Sequence, residues 1–332
     1  MVTVDEFLEE WHNDSPTVLV HTSGSTGKPK PMLVEKRRME ASARITCGFL
    51  GLKPGDTALL CMPLDYIAGK MMVVRALTCG LRLISVEPSG HPLSRCSLGS
   101  ISPISPIDFA AMVPMQVYNS LQVPEERERL MAVKHLIIGG GAIDDELARV
   151  LIGFPNQVWS TYGMTETLSH IALRRLSGPE TSEWYTPLEG VTLTQNDDGC
   201  LVIDAPAVHD GLLITNDIAE FSSDGRFRIL GRKDNVICSG GIKIQIEEAE
   251  RLLRSHLPYP FVITHRRDDK FGEAVVMLTE GDVHEAKIAC QHVLPRYWQP
   301  RDYIHTTHIP LTATGKPARK EAEQIAARGM II

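Results

Sequence analysis

Short apolar runs alternate with amphipathic segments through the first half of the chain. The runs PTVLVH (16–21) and TALLCMP (57–63) have the length expected of buried strands. Helical spacing follows in 35–50 and in AGKMMVVRALTCG (68–80), and strand–helix alternation continues through 134–153. This alternation predicts an α/β fold in which helices cover a sheet.

The pattern changes between residues 181 and 231. Short β-like segments (VTLTQ, CLVID, GLLIT, RFRIL) are separated by DDG, HDG and SDG turns, which is typical of a small antiparallel sheet or barrel. The remainder carries the helical segment IEEAERLLRSHL, strands around FVITH and AVVML, and further helices. We therefore expect a large α/β domain (1–233) containing a β subdomain (181–231), followed by a smaller, mobile α+β domain (234–332).

Composition and charge narrow the class of protein. Hydrophobic residues make up 43% and charged residues 23% of the chain, which is the balance of a soluble globular protein. The net charge is −7, and no Lys/Arg block is present, so a nucleic-acid partner is not expected. No apolar run approaches the roughly 20 residues of a membrane span, and the acidic N-terminus is unlike a signal peptide. We expect a cytoplasmic protein without membrane insertion, acting on small molecules.

The seven cysteines are scattered singly and contain no C-x-x-C pair. This spacing excludes the usual zinc frameworks and argues against a disulfide scaffold. No chemistry is assigned to any of them.

The stretch that follows the first predicted strand concentrates hydroxyls, glycines and two lysines, a composition whose backbone N–H groups can face phosphate oxygens. It is not a Walker A loop, because only two residues separate Gly24 from Gly27 and Pro29 follows Lys28. A solvated Ser/Gly linker is the alternative. The residues expected to bind phosphate are Thr22, Ser23, Gly24, Ser25, Thr26, Gly27, Lys28 and Lys30.

Two further clusters follow later predicted strands. Residues 160–166 (STYGMTE) offer Thr165 for a phosphate oxygen, Glu166 as a hard oxygen ligand for Mg²⁺, and the flat face of Tyr162 for a purine. The run 139–141 (GGG) could equally be a tight strand-to-helix turn. Taken by themselves, residues 160–166 are more typical of ordinary core and turn than of a binding site.

The last candidates lie in the second half. Asp217 could accept hydrogen bonds from ribose hydroxyls, and Arg232 is a fixed cation with five donors. The alternative is a hairpin with a surface ion pair, which would contribute little. Lys316, in PLTATGKP (310–317), is by itself more typical of a solvated surface charge than of a catalytic residue.

The identity and order of these segments resemble the acyl-adenylate-forming (AMP-binding) superfamily of acyl-CoA ligases, luciferases and peptide-synthetase adenylation domains. The matching stretches are TSGSTGKPK (22–30), YGMTE (162–166), TND (215–217), GRKDNVICSGGIKI (231–244) and PLTATGKPARK (310–320). They extend over almost the whole chain in the family's order.

The resemblance implies a two-step reaction with ATP, Mg²⁺ and coenzyme A. It implies that Thr165 contacts the α-phosphate, Glu166 holds Mg²⁺, and Lys316 bridges the attacking carboxylate and the phosphate. Asp234 would be the hinge about which the small domain moves between the two steps. The remaining nucleotide or CoA contacts implied by the resemblance are Gly140, Gly141, Tyr162, Gly163, Asp217, Arg232, Gly240 and Gly241.

Within this superfamily the chain is most similar to o-succinylbenzoate–CoA ligases of menaquinone synthesis. That similarity lies in LVEKRRMEASA, MPLDYIAGKMMVVRAL, DFAAMVPMQV and YGMTETLSHIALRRL. Arg75 is then a candidate anchor for the second carboxylate of that substrate, since arginine suits bidentate contacts. A surface or helix-capping arginine is the alternative. Tyr66 stands where relatives often have His and is a candidate pocket residue.

Two departures from the family pattern affect these expectations. The phosphate loop begins at Thr22, whereas relatives usually carry a hundred or more residues before it, so part of the N-terminal subdomain is expected to be missing. Homodimer contacts or a more open pocket are the two expected consequences. Pro31 also replaces a common glycine and removes one backbone N–H.

Rival functions remain open from the sequence. One is ligation of a different short-chain or aryl acid, or of an amino acid whose amine pairs with Asp65. Another is a non-catalytic protein that binds an adenylate. A phosphotransfer kinase is disfavoured by the loop spacing and the missing Walker motif.

Overall fold

The structure is a computed structural model that describes residues 2–21, 31–94, 106–141, 143, 145–312 and 317–329. The chain divides into two compact units. Unit 1 comprises 1–194, 202–213 and 221–228, and unit 2 comprises 195–201, 214–220 and 229–332. The predicted α/β fold class is confirmed by sheets and helices in both units.

Unit 1 is built on a seven-stranded sheet in the order β4-β3-β5-β6-β7-β8-β9. Neighbouring strands from β4 to β7 are parallel, and β8 and β9 continue the sheet antiparallel. The burial of every residue in β3, β5 and β6 explains why these strands read as unbroken apolar runs. The strands are β3 (Thr57–Leu60), β4 (Arg82–Ser85), β5 (Phe109–Met112), β6 (His135–Ile138), β7 (Gln157–Gly163), β8 (His170–Arg175) and β9 (Thr186–Pro187).

Six helices of unit 1 are described. The first begins with a capping box, in which Thr3 and Glu6 satisfy each other's backbone N–H groups. Proline occupies the first turn of the fourth and fifth helices, where its missing N–H costs nothing. The helices are α1 (Val4–His12), α2 (Lys36–Leu50), α3 (Ile67–Cys79), α4 (Pro114–Gln122), α5 (Pro124–Ala132) and α6 (Asp145–Ile152).

A two-stranded hairpin carries the ends of the predicted phosphate loop. Strands β1 (Thr17–His21) and β2 (Pro31–Glu35) are antiparallel and in register from Thr17 opposite Glu35 to His21 opposite Pro31. The edge of β1 is tied to two helices: the Lys70 ammonium donates to the Leu19 carbonyl (2.8 Å) and to Glu10 (2.9 Å). Glu10 also accepts the Leu19 N–H at 3.0 Å. The strand entering the loop is therefore held on its outer edge by a buried lysine.

A four-stranded sheet occupies most of the region from which the sequence predicts a small antiparallel sheet or barrel (181–231). Its order is β10-β11-β12-β13, so consecutive strands are neighbours, and its strands supply residues to both units. The strands are β10 (Thr192–Gln195), β11 (Cys200–Asp204), β12 (Leu212–Phe221) and β13 (Phe227–Arg232). Each overlaps one of the four β-like segments expected from the sequence.

The C-terminal part of unit 2 packs three helices on a five-stranded sheet. The sheet order is β15-β14-β17-β16, with β18 pairing parallel to β17. Its larger apolar core contains Ile244, Leu253 and Met277, all fully buried. The elements are β14 (Val236–Ser239), β15 (Ile242–Gln245), α7 (Ile246–Arg254), β16 (Phe261–Asp268), β17 (Gly272–Thr279), α8 (Val283–Val293), β18 (Asp302–His305) and α9 (Arg319–Arg328).

None of the described helices has both the length and the apolar character that a bilayer crossing requires.

A buried ion pair joins the last helix to the rest of this core. The Arg319 guanidinium donates through both terminal nitrogens to the two oxygens of Glu250, and the second contact is 2.7 Å. Glu250 also accepts the Ile263 N–H at 2.9 Å, and Arg319 donates to the Ile263 carbonyl at 3.2 Å. Glu250 is only 5% exposed, so its charge depends on Arg319 for compensation.

Replacing Arg319 by Leu is expected to lower the free energy of unfolding by about 3 kcal/mol, because the Glu250 carboxylate would be left buried without a counter-charge. Denaturant unfolding measures the change. Arg328→Leu, an exposed position on the same helix, is the control and should shift stability by less than about 0.5 kcal/mol. Equal decreases in the free energy of unfolding of the two variants would show that the ion pair does not stabilise this core.

Candidate active site

The glycine run and the YGMTE segment lie at one edge of the parallel sheet. Gly140 and Gly141 follow the carboxyl end of β6, and Tyr162 and Gly163 form the carboxyl end of β7, its immediate neighbour. In open α/β sheets ligands bind outside the carboxyl ends of the strands. The structure thus brings together four residues that the sequence assigned to nucleotide binding.

Gly163 lies where the chain passes over its own backbone. A Cβ atom there would be 2.3 Å from the Ser169 carbonyl oxygen and 2.5 Å from the His170 Cα. These are backbone atoms that cannot move aside, so only glycine fits. Gly163 pairs with His170 across β7 and β8, with a register shift between Tyr162 and Gly163. This close approach brings residues 164–169 into one compact turn.

The turn after β7 presents Thr165 and Glu166. Residues Thr165–Thr167 form a single 3₁₀ turn, in which Thr165 is buried and Glu166 is half-buried. The Glu166 carbonyl lies 3.2 Å from His209 Nδ1. Within the described part of the chain, the Glu166 carboxylate has no hydrogen bond or ion pair. The turn therefore fixes the backbone of Glu166 and leaves its carboxylate able to bind a cation.

Leu168 has a strained backbone conformation, with φ +64° and ψ −37°. Its neighbours close a three-residue γ-turn, because the Ser169 N–H donates to the Thr167 carbonyl at 2.7 Å. Leu168 is the one non-glycine residue with positive φ among those described, and its side chain is 3% exposed. Such a conformation costs on the order of 1–3 kcal/mol and persists only where the surroundings enforce it.

Arg75 is buried in helix α3, not on a surface. It is 2% exposed, and burial lowers the pKa of its guanidinium to about 10, which still leaves it cationic at neutral pH. Its Nη2 donates to Ser169 Oγ at 2.6 Å, Nη1 lies 3.8 Å from the Met72 sulfur, and Nε has no partner among the residues described. Its burial rules out the alternative of a surface arginine, and no described carboxylate pairs with it.

A chain of hydrogen bonds continues from Ser169, the partner of Arg75, into the core. Ser169 Oγ lies 3.3 Å from His170 Nδ1, and His170 Nε2 lies 3.2 Å from Thr46 Oγ1, which donates to the Ser42 carbonyl at 3.0 Å. Burial first, and the charge of Arg75 second, hold the pKa of His170 well below its usual range. A neutral His170 with its proton on Nε2 satisfies every group in this chain.

Ser169 and His170 received no role from the sequence. They lie in the TLSH stretch directly after Thr165–Glu166, and the nearness of that stretch to the motif was the only available signal. The contact with Arg75 joins residues 94 positions apart in the sequence, so no local pattern could show it.

The two tyrosines occupy different settings. Tyr66 is the residue before α3 and is 39% exposed. The Tyr162 ring lies edge-on to Phe227, with centroids 5.3 Å apart, and is 6.0 Å from the Tyr185 ring. Tyr162 is therefore one wall of an aromatic cluster that offers a partly exposed flat surface.

In unit 2, the Arg232 side chain contacts both Asp217, a predicted ribose ligand, and Asp234, the predicted hinge residue. Its Nη1 donates to Asp217 at 3.1 Å and its Nη2 donates to Asp234 at 2.9 Å. Burial opposes the charge of Arg232, but the hydrogen bond to Asp234 and the charges of both carboxylates outweigh it, so the pKa of Arg232 is raised. Gln245 donates to the Arg232 carbonyl at 3.0 Å and holds the backbone before Asp234.

Gly240 and Gly241 form the tip of the β14–β15 hairpin. Ser239 pairs with Ile242, so the connection has two residues, with φ of +58° and +81°. Positive φ at both central positions defines a type I′ turn, which glycine adopts without strain. The Gly240 N–H donates to the Phe271 carbonyl at 2.8 Å. The two glycines therefore form a tight two-residue turn.

Several predicted residues lie outside the described part of the chain. These are the phosphate-loop residues Thr22 to Lys30 and the catalytic candidate Lys316. Among described residues no group of three His, Cys, Asp or Glu side chains could hold a metal ion. Nucleotide-bound Mg²⁺ takes one or two carboxylates and completes its shell with phosphates and waters, so Glu166 alone fits that demand.

A mostly parallel sheet with polar and glycine residues at the carboxyl ends of its strands is typical of an α/β enzyme that binds its ligand at that edge. The model of the AMP-binding enzyme family matches residues 4–202. The chain belongs to this family and is an acid–CoA ligase that works through an acyl-adenylate.

Individual relatives agree with this assignment. The chain is 25% identical to the 2-succinylbenzoate–CoA ligase of Bacillus thuringiensis subsp. konkukian over 96% of this chain and 71% of the relative. It is 31% identical to an acyl-CoA synthetase (AMP-forming)/AMP-acid ligase II-like protein from Dyadobacter fermentans, with a TM-score of 0.64 over 97% and 93% of the two chains.

The fold is also that of o-succinylbenzoate CoA synthetase from Bacillus subtilis. The structure of that enzyme in complex with its acyl-adenylate intermediate has a TM-score of 0.78 and 23% identity over 92% of this chain and 68% of the other. At this identity the comparison establishes the shared fold.

Replacing Gly163 by Ala is expected to destabilise the protein by about 1–3 kcal/mol and to reduce adenylation, because the added methyl group would collide with the Ser169 backbone. Thermal unfolding and pyrophosphate release measure the two effects. Gly48→Ala is the matched control, since nothing lies within 4 Å of the new atom in helix α2. It should instead add about 0.5–1 kcal/mol of stability. Similar effects at both sites would contradict the close-approach argument.

Proposed function

We propose that the acid activated by this enzyme is o-succinylbenzoate, and that the enzyme acts in menaquinone synthesis. The observation that carries the proposal is the buried cation of Arg75, which no carboxylate among the described residues neutralises. The curated relatives that bear this name, and the resemblance of YGMTETLSHIALRRL and MPLDYIAGKMMVVRAL to such enzymes, support it. The alternatives are another aryl or short-chain acid, or a homologue that binds an adenylate without catalysis.

The electrostatics of Arg75 favour a substrate with a second negative charge. A buried cation without a counter-ion is costly, and the Ser169 hydroxyl offers only a neutral acceptor. A carboxylate about 4 Å away would gain roughly 4 kcal/mol at an effective dielectric constant of 20. The aromatic carboxylate of o-succinylbenzoate would supply that charge while the succinyl carboxylate reacts. A simple monocarboxylate would leave Arg75 uncompensated.

The first half-reaction makes the carboxylate a competent acyl donor. An oxygen of the acid attacks the α-phosphorus of ATP, the bond to the β-phosphate breaks, and pyrophosphate leaves with the electron pair. In this proposal Thr165 contacts the α-phosphate, while Lys28, Lys30 and Lys316 screen the charge of the approaching anions. Preorganised cations act strongly here because the partly dehydrated site raises their electrostatic effect.

Magnesium would be held through Glu166, with phosphate oxygens and water completing its shell. When bound, the ion would neutralise charge on the leaving pyrophosphate. The half-buried Glu166 carboxylate, on a backbone fixed by the 3₁₀ turn, is suited to this role.

The nucleoside would be bound by the aromatic and charged groups already described. Tyr162 would stack on adenine, Gly140, Gly141 and Gly163 would admit the nucleotide close to the backbone, and Asp217 and Arg232 would hold the ribose. The phosphate loop Thr22–Lys30 would contact the phosphates. Tyr66 would line the acid pocket.

The second half-reaction transfers the acyl group to coenzyme A. The thiolate sulfur attacks the acyl carbon and AMP leaves, after residues 234–332 have moved about Asp234. The Arg232–Asp234 ion pair spans the proposed boundary, with both side chains more than one third exposed. Such pairs contribute about 0–1 kcal/mol, so breaking this one would not oppose the motion. Gly240 and Gly241 would line the path of the CoA arm.

Lys316→Ala should nearly abolish adenylate formation yet spare thiolation of pre-formed acyl-adenylate, since Lys316 is proposed to act only where carboxylate and phosphate meet. Pyrophosphate release and CoA consumption measure the two half-reactions separately. Lys320→Ala removes an exposed lysine four residues away and should change neither. If both half-reactions fall equally in Lys316→Ala, the lysine is structural and its assigned role is lost.

Arg75→Leu should raise the KM for o-succinylbenzoate by about 100-fold, because an Arg–carboxylate contact in a dry site is worth about 3 kcal/mol. Activity with benzoate, which lacks the second carboxylate, should change little. The thermal midpoint should stay constant or rise, since a buried charge without a counter-ion is removed.

The result with the two acids decides the proposal. An equal loss on o-succinylbenzoate and benzoate would remove Arg75 from substrate recognition. If the wild-type enzyme prefers a simple acid in CoA-dependent AMP production, the assignment to o-succinylbenzoate is wrong while the ligase assignment stands.

A further inference from the structure

The strained γ-turn at Leu168 lies between Glu166 and Ser169, two residues of the candidate active site. Glu166 precedes it by two positions, and Ser169, whose hydroxyl accepts from Arg75 at 2.6 Å, follows it directly. A change of backbone direction at this one residue therefore sets the relative placement of the proposed metal ligand and of the proposed acid anchor.

The surrounding contacts hold the turn closed. The Leu168 N–H donates to the Thr165 carbonyl at 2.9 Å, and the Met164 N–H donates to Thr167 Oγ1 at 3.0 Å. Thr167 Oγ1 in turn lies 2.8 Å from the Ser169 carbonyl, and Thr167 is fully buried. The buried Leu168 side chain anchors the centre of the turn. These contacts enforce a conformation that the leucine backbone disfavours.

A glycine at position 168 would adopt this φ without strain, but it would also adopt many others. Leucine with a buried side chain restricts the turn to one geometry. The strained residue is therefore at a position where a more flexible residue would allow Ser169 and Glu166 to move independently.

We propose that Leu168 is a positioning residue: its strained turn holds Ser169 Oγ against Arg75 and Glu166 towards the nucleotide, so that acid and ATP bind in reactive register. This inference rests on the proposed function of the same site. It adds a residue that touches neither substrate and acts through its two neighbours.

The test compares Leu168→Ala with Leu168→Gly in the full-length protein. Both variants lose the same buried side chain beyond Cβ, but only alanine keeps the backbone strain and the restricted geometry. At an ordinary buried site the alanine variant is the more stable of the two. Here the order should reverse, and the glycine variant should have the higher thermal midpoint.

Activity should follow the opposite order. We expect kcat/KM for o-succinylbenzoate to be about 10-fold or more lower in Leu168→Gly than in Leu168→Ala, because small displacements of reacting groups are costly. Mg·ATP affinity without acid, measured by calorimetry, should also be weaker in the glycine variant. A residue with a merely structural role would give the more stable variant the higher activity.

Two outcomes overturn the inference: a glycine variant that is less stable than the alanine variant, or one that matches it in both kcat/KM and Mg·ATP affinity. If neither variant folds, Ser169→Ala decides, since it removes the hydroxyl and leaves the turn. The KM of this variant for o-succinylbenzoate should rise about 5-fold or more, while the KM for benzoate stays the same. An unchanged KM for o-succinylbenzoate would overturn the inference.

Failure of the proposed function is distinguishable from failure of this inference. If wild-type protein does not use o-succinylbenzoate, the proposed substrate is wrong. The order of thermal midpoints and the Mg·ATP affinities still test Leu168, because neither measurement needs the acid.

Discussion

The turn between β7 and β8 is the constraint on which the rest of the site depends. Gly163 lets the chain double back within van der Waals distance of Ser169, and Leu168 completes the reversal in a strained conformation. As a result, one short segment carries Thr165 and Glu166, which are proposed to bind the nucleotide and its metal ion, and contacts the buried Arg75 through Ser169. If one segment holds both the proposed metal ligand and the contact to the proposed acid anchor, less entropy must be lost to align the acid with ATP in the reaction.

Burial of the guanidinium group has opposite consequences for stability at Arg319 and Arg75. Arg319 is compensated by both oxygens of Glu250, and this pair stabilises the C-terminal core. Arg75 has a hydroxyl and a sulfur for neighbours among the described residues, together with the face of Phe109 5.9 Å away. A cation arranged in this second way destabilises the folded protein and gains its counter-charge only from an anion that binds. The contrast distinguishes Arg319, which stabilises the core, from Arg75, which is proposed to bind the substrate.

Much of the architecture was predictable because local patterns determine it. The apolar runs of β3 and β6 are fully buried, so their strands were predictable from the sequence. The short strand β5 and the parallel pairing of the three strands were not predicted. Arg75 was recognised as a candidate, but its burial was not, since a helix of mostly apolar residues does not show which side chain is left without a partner.

The sequence by itself determined the class of protein: the kinds of side chains, their order along the chain and the alternation of strands and helices are local properties. Only the tertiary structure decided that Arg75 meets Ser169 and that His170 is a neutral link to Thr46. It also decided that Leu168 is strained. These contacts join segments far apart in the chain, and their energies depend on burial and on which groups remain unpaired, which no local pattern contains.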